Sequence, residues 1–170
     1  MNVGQINYHD VANGPGIRVA IFVTGCTLAC EGCFNAELQD RNAGRPFTLA
    51  DHAKIIDTLG KPYIAGITLL GGDPMQNTKG LVPLVQDIRK EFGTKKNIWC
   101  FSGYTWEEIQ HIRSRKQLAD MCDILIDGQF KQPLHRHDLL WRGSSNQRII
   151  DVQQTLATGS VKLYKNGNYT

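Results

Sequence analysis

The stretch IRVAIFVTGCTLACEGCF, residues 17 to 34, decides the architecture. Its first eight residues, Ile17 to Thr24, form a near-continuous β-branched and aromatic run of the kind a strand presents when both its faces are buried. Glycines bracket the run, and just beyond it three cysteines fall within eight residues, at Cys26, Cys30 and Cys33. A buried strand is thus expected to deliver a group of thiols at its carboxyl end.

Working outward, Ile67 to Leu70, Ile98 to Phe101 and Cys122 to Ile126 are three further short runs rich in Ile, Leu or aromatic residues. Helical patterns lie between them. The sequence TLAD at Thr48 to Asp51 opens the first like a capping box, and Leu81, Leu84, Val85, Ile88 and Phe92 line one face of the second at helical spacing. TWEE at Thr105 to Glu108 opens the third. Strands alternating with helices imply βαβ crossovers and a parallel sheet, either open or curled into a partial (β/α) barrel. Residues 128–148, which hold Pro133, two histidines and WRGSSNQ, read as a long structured loop of the same domain. Within the final twenty residues Val161 to Tyr164 alternates as a short edge strand does.

The 170 residues, 41% of them hydrophobic, supply one ordinary core, so a single domain spanning 1–170 is expected. Five cysteines, three of them adjacent and Cys100 and Cys122 alone in apolar runs, argue for a metal site rather than a disulfide framework. The opening MNVGQINYHD has no basic segment followed by an apolar one, and no later stretch has the apolar length of a membrane span. The expectation is a soluble, cytoplasmic protein with no membrane partner. A formal charge of +3 is mild, and its densest basic run, Arg113 to Lys116, falls where a helix is expected to end, where cations compensate the helix dipole. Nucleic acid is accordingly not expected as a partner.

The distinctive residues follow the strands: Cys26 to Cys33 after the first, GGDP at Gly71 to Pro74 after the second, Ser102, Gly103 and Tyr104 after the third, and Asp127-Gly128 after the fourth. In a parallel sheet these ends share one rim, where α/β active sites are built. The C-x3-C-x2-C spacing lets three thiolates hold three irons of a cubane and leaves the fourth iron open to a small-molecule ligand. The competing reading is a zinc site, which requires four Cys or His ligands in a closed tetrahedron. No suitably spaced fourth ligand follows, His52 is expected on a helix, and Cys100 and Cys122 read as buried apolar residues.

GGDP by itself marks only a turn. Beside an open iron, its glycines permit close backbone approach, and their carbonyls with the Asp73 carboxylate offer acceptors to a ligand ammonium group. NGPG at 13–16 reads as a tight turn, while Arg18 inside a buried strand calls for a carboxylate or phosphate partner. Trp141, Arg142 and Asn146 belong either to a surface turn or to a contact patch that docks a partner or closes the site.

Taken together, the cysteine motif, GGDP, NGPGIR, FSGY, LIDGQF and WRGSSNQ closely resemble the anaerobic ribonucleoside-triphosphate reductase activating proteins, glycyl-radical-enzyme activases of the radical S-adenosylmethionine (SAM) superfamily. The resemblance covers residues 8–150 in consistent order; the last twenty residues match nothing comparable. It implies a shortened radical SAM barrel in which Cys26, Cys30 and Cys33 hold a [4Fe-4S] cluster and SAM chelates the fourth iron. It also implies that Gly71, Gly72 and Asp73 receive the SAM amine, that Gly32, Cys33 and Phe34 pass the adenine, and that Ser102, Gly103 and Tyr104 flank the ribose.

The implied reaction is reductive SAM cleavage to a 5′-deoxyadenosyl radical, which takes a hydrogen atom from a glycine α-carbon of the anaerobic reductase. A low-potential donor such as flavodoxin would supply the electron. Hydrogen-atom abstraction requires no general acid or base, so the five histidines need no catalytic role. The sequence departs from many superfamily members at Gly32, where a bulky apolar residue is usual, and at Asp73, where Glu is frequent. Two other readings remain: an activase of a formate-lyase-type glycyl radical enzyme, and an electron carrier or binding module whose cluster only shuttles electrons.

Overall fold

A computed structural model describes residues 1–165 of the chain. Along it lie β1 (Asn2–Asp10), β2 (Ile17–Val23), β3 (Arg45–Pro46), α1 (Leu49–Gly60), β4 (Ile64–Gly71), α2 (Thr78–Phe92), β5 (Asn97–Phe101), α3 (Trp106–Gln110), α4 (Arg113–Asp120), β6 (Ile124–Asp127), β7 (Arg148–Asp151) and α5 (Val152–Thr158). The strands form one sheet in the order β3-β1-β2-β4-β5-β6-β7.

The four central strands β2, β4, β5 and β6 are parallel neighbours, as the alternation of strand and helix predicts. The sheet as a whole is mixed, and this corrects the expectation of a purely parallel one. β1 runs antiparallel to both β2 and β3, and β7 runs antiparallel to β6. The reversals are made by the NGPG turn, where the Asp10 carboxylate accepts the backbone N–H groups of Ala12 and Asn13 at 3.0 and 2.8 Å, and by the long 128–147 segment. The sheet is open, with β3 and β7 as its edges.

Strand alternation gives the sheet two unlike faces. Val19, Ile21, Ile67, Leu69, Ile98, Cys100 and Leu125 are buried together with Ile55, Leu59, Leu81, Leu84, Ile88, Ile109 and Leu118 from the helices. Burial of each large aliphatic side chain there contributes roughly 1.5–3 kcal/mol. The expected capping boxes form: Thr48 and Asp51 exchange bonds at the start of α1, and Thr105 and Glu108 do so at α3. The opposite face carries Phe22, Thr68, Leu70, Trp99, Phe101 and Ile126 in register. Trp99 packs there against Ile124, Ile126 and Ile149, and its ring meets Trp141 and Tyr164 edge-on at 4.7 and 5.7 Å.

Arg18 lies on this second face with no solvent exposure. Instead of a carboxylate or phosphate it finds neutral acceptors: Thr68 Oγ1 at 2.6 Å, the carbonyls of Pro15 and Ile67 at 2.9 and 3.0 Å, and Asn97 Oδ1 at 2.9 Å. Burial lowers its pKa to about 10, so it remains a cation at neutral pH. A second correction concerns Arg113 to Lys116: the run opens helix α4 instead of closing one. In the final segment Val161 to Tyr164 runs beside β7 through a single bridge, Ile150 to Leu163, and residues 166–170 lie outside the described ones. No helix among the described residues is long and apolar enough to cross a membrane.

Candidate iron–sulfur site

Beyond Val23 the chain leaves β2 at the carboxyl rim and enters the cysteine loop. Gly25 N–H donates to Leu38 O at 2.8 Å and Cys26 N–H to Gln39 O at 3.0 Å, which fixes the root of the loop. Cys33 N–H closes a turn onto Cys30 O at 3.3 Å, and left-handed backbone at Ala29 (φ 49°) and Gly32 (φ 69°) turns the loop tightly.

 The loop therefore folds back on itself within eight residues and brings all three thiols, each half-buried, to one wall of a cleft of about 510 Å³. Burial pushes the Cys26 thiol up, a hydrogen bond from the Leu28 backbone pulls it down, and the Asp73 carboxylate followed by the Cys30 and Cys33 thiols adds to the upward shift.

The floor of the cleft is the second face of the sheet, through Phe22, Leu70 and Phe101, and its far wall comes from the 128–147 segment. Of the residues singled out in the sequence, Cys26, Cys30, Cys33, Phe34, Gly71, Gly72, Asp73, Ser102, Gly103, Trp141 and Arg142 all line it. Gly32, Tyr104 and Asn146 do not. A side chain at Gly32 would run into the Gln132 amide, Tyr104 faces a separate cleft, and Asn146 donates to Gln129 O at 2.8 Å. Phe34 is 64% exposed and leans on the far wall, its ring 5.1 Å from Phe130 and 5.5 Å from His135. Sequence reasoning missed Phe22, Leu70 and Phe101 as cleft floor, although strand alternation carried the signal. It also missed His135 and His137, whose polar loop gave none.

The glycine pair is held against the cysteine loop by backbone. Gly72 N–H donates to Val23 O at 2.7 Å and Asp73 N–H to Gly25 O at 3.1 Å. Gly71 has φ 109°, a conformation that favours glycine. Asp73 is only 1% exposed, and its carboxylate accepts from Met75 N–H at 2.8 Å, Gly103 N–H at 2.9 Å and the Ser102 hydroxyl at 3.1 Å. This one side chain ties the loop after β4 to the loop after β5.

Burial raises the Asp73 pKa from 3.8 to about 6, against the opposing pull of those donors. A folded-state pKa above the unfolded one means that the folded protein holds a proton the unfolded chain has released. The resulting stabilisation is present below about pH 4 and is lost as pH rises through about 6. Asp73→Asn is expected to flatten that part of the stability–pH curve in denaturant titrations, and an unchanged slope would assign the titration elsewhere. Asp73→Ala, which strands three donors, is expected to cost about 2–5 kcal/mol.

The donor set suits an iron–sulfur cluster: three soft sulfur ligands on one short loop over an apolar floor of Phe22, Leu70 and Phe101.

Three thiols of one strand-end loop over an apolar cleft are the arrangement of an iron–sulfur protein, and the family model described as "4Fe-4S single cluster domain" matches residues 12–150. The anaerobic ribonucleoside-triphosphate reductase-activating protein of Escherichia coli K12 is 42% identical over 153 residues, covering 85% of this chain and 97% of that protein. The protein of the same name from Enterobacteria phage T4 is 40% identical over 151 residues, covering 88% and 93%, and that of Pasteurella multocida 39% over 158 residues, covering 91% and 99%. The chain belongs to this family of reductase-activating proteins.

Proposed function

We propose that Cys26, Cys30 and Cys33 hold a [4Fe-4S] cluster, that SAM binds beside it, and that this single-domain, cytoplasmic protein generates a glycyl radical on anaerobic ribonucleoside-triphosphate reductase. The electron comes from a low-potential donor such as flavodoxin. The open mixed sheet is read as a shortened partial barrel of the radical SAM type. One observation carries the proposal: the thiols, the glycine pair and the Ser102-Gly103 turn, from three successive strand ends, all face one cleft of about 510 Å³. That volume suits a ligand of the size of SAM.

Bound there, cluster and SAM supply reductive cleavage of a carbon–sulfur bond and a 5′-deoxyadenosyl radical that takes a hydrogen atom from the partner's glycine. The chain's own residues bind and shield. Gly71 and Gly72 present backbone to the ligand amine, and Cys33 with Phe34 borders the adenine. Ser102 and Gly103 border the ribose, while Asp73, at the cleft with the glycine pair, offers its carboxylate to the ligand amine and ties the two turns together. Phe22, Leu70 and Phe101 keep water from the floor of the cleft. Trp141 and Arg142, on the opposite wall, meet the incoming loop of the reductase.

Catalytic amounts of reconstituted protein, with SAM and reductant under anaerobic conditions, are expected to produce a glycyl radical on the reductase, read by electron paramagnetic resonance. Replacing the reductase's radical glycine by Ala should abolish the signal. Cleavage of SAM with no radical on any such reductase, and with a small molecule modified instead, would overturn the assignment.

A further inference from the structure

Three loops that edge the cysteine cleft also edge a second cleft of about 300 Å³, giving neighbouring residues to its two sides. Cys26 lines the first cleft and Thr27 the second; Gly72 lines the first and Gln76 the second; Gly103 lines the first and Tyr104 the second. Gln76 Nε2 donates to Thr27 Oγ1 and to the Tyr104 hydroxyl, both at 3.1 Å, so the partition between the clefts is itself hydrogen-bonded.

The second cleft is basic. Arg45, Arg89, Arg136 and Arg148 are paired with carboxylates elsewhere, and Arg18 is buried. The remaining arginines, Arg41, Arg113, Arg115 and Arg142, make no ion pair among the described residues. Arg41 and Arg115 line the second cleft, and Arg113 lies in sequence between Ile112 and Ser114, which also line it. Arg115 is held at the rim, its guanidinium 3.8 Å above the Tyr104 ring and its Nε bonded to Met75 O at 3.2 Å.

These cations do not serve helix α4. Arg113 and Arg115 sit in its first turn, which has no acidic residue and no side-chain cap, where positive charge opposes the helix dipole. Only Lys116 is neutralised locally, by Asp120. A positive patch without ion pairs on a polar cleft, one residue from a thiol of the cysteine loop, fits an anionic protein surface that must come close without entering the first cleft.

We propose that the second cleft is the docking surface of the electron donor, and that the donor is an acidic electron-transfer protein. This rests on the function proposed above. One electron leaves the donor's reduced redox centre and reduces the cluster by one, with no bond made or broken in this chain. Donor and reductase then occupy opposite sides of the cysteine loop and bind together. The small, charged contact matches the transient interfaces of redox partners.

The test compares the cluster-loaded protein with its Arg41→Glu/Arg113→Glu double variant, using flavodoxin as the probe. Binding is measured by calorimetry, and cluster reduction by stopped-flow absorbance with flavodoxin hydroquinone. Wild-type binding should weaken as salt rises from about 0.01 to about 1 M, over which the screening length falls from about 30 to about 3 Å. The double variant should bind and be reduced at least about tenfold more weakly and slowly at low salt. Its reduction by a photoexcited deazaflavin, and its SAM cleavage with that reductant, should match wild type. Equal flavodoxin binding in the two proteins, or a variant that loses reductase binding instead, overturns the docking proposal. Failure of wild type to cleave SAM with deazaflavin overturns the underlying function and is distinguished by that control.

Discussion

Replacing Cys26, Cys30 or Cys33 by Ala is expected to leave a protein that, after anaerobic reconstitution, holds well under the about four irons of a complete cubane and does not cleave SAM. The three thiols sit on one turn at the carboxyl end of β2 and line one cleft, so no neighbouring sulfur stands ready to replace a missing one. Cys100→Ala and Cys122→Ala are the controls. Both side chains are fully buried in the core beneath the helices and neither lines the cleft of the three thiols, and burial holds the Cys100 thiol well above its ordinary pKa. These variants should keep the cluster and lose only the stability of a small cavity. Iron analysis and the spectrum of the reduced cluster decide the matter. A Cys100→Ala protein as empty of iron as Cys26→Ala would end the three-ligand assignment.

Gly72→Val is expected to have the next largest effect, through the cysteine loop as well as through SAM. Sequence alone predicts a substitution that blocks the ligand and spares the fold. The structure alters that expectation, because a Cβ at position 72 would lie 2.7 Å from Gly25 O and 2.9 Å from Gly25 N. Backbone on both sides leaves nothing flexible to yield, so the side chain must push away the residue that precedes Cys26. Overpacking of this kind costs about 1–3 kcal/mol, a fall in Tm of roughly 5 °C for a chain of this size. Iron content and SAM affinity should fall together. A variant that melts like wild type, fills with iron and binds SAM normally would show that the two loops are not in contact as described.

Much of the fold was legible because local pattern and burial agree. The 17–24 run is β2, the helical stripe from Leu81 to Ile88 is the buried face of α2, and both TxxD and TxxE sequences cap helices. β1 escaped notice because its register against β2 shifts twice, between Val3 and Gln5 and between Asn7 and Asp10, and the shifts erase the alternation that marks a strand. β7 is four residues long and acquires its identity from pairing with β6, a contact no local window contains. The basic run was misread for a related reason: charge suits a helix end, but which end depends on where α4 starts, and Ile112 carries no capping side chain to announce it.

By itself, the sequence determined the parallel centre of the sheet and the gathering of cysteine, glycine and serine turns at its carboxyl rim, since strand and helix periods are local properties and βαβ connections leave one rim for the loops. Only the tertiary structure decided which of those residues share a cleft. Asp73 turns inward because Ser102 and Gly103, about thirty positions away in sequence, offer it donors at 2.9–3.2 Å. Gly32 is covered by Gln132, and Tyr104 faces the basic cleft behind the thiols, under Arg115. Side-chain direction in a loop is set by backbone angles and by distant partners, and neither is written in the spacing of a motif.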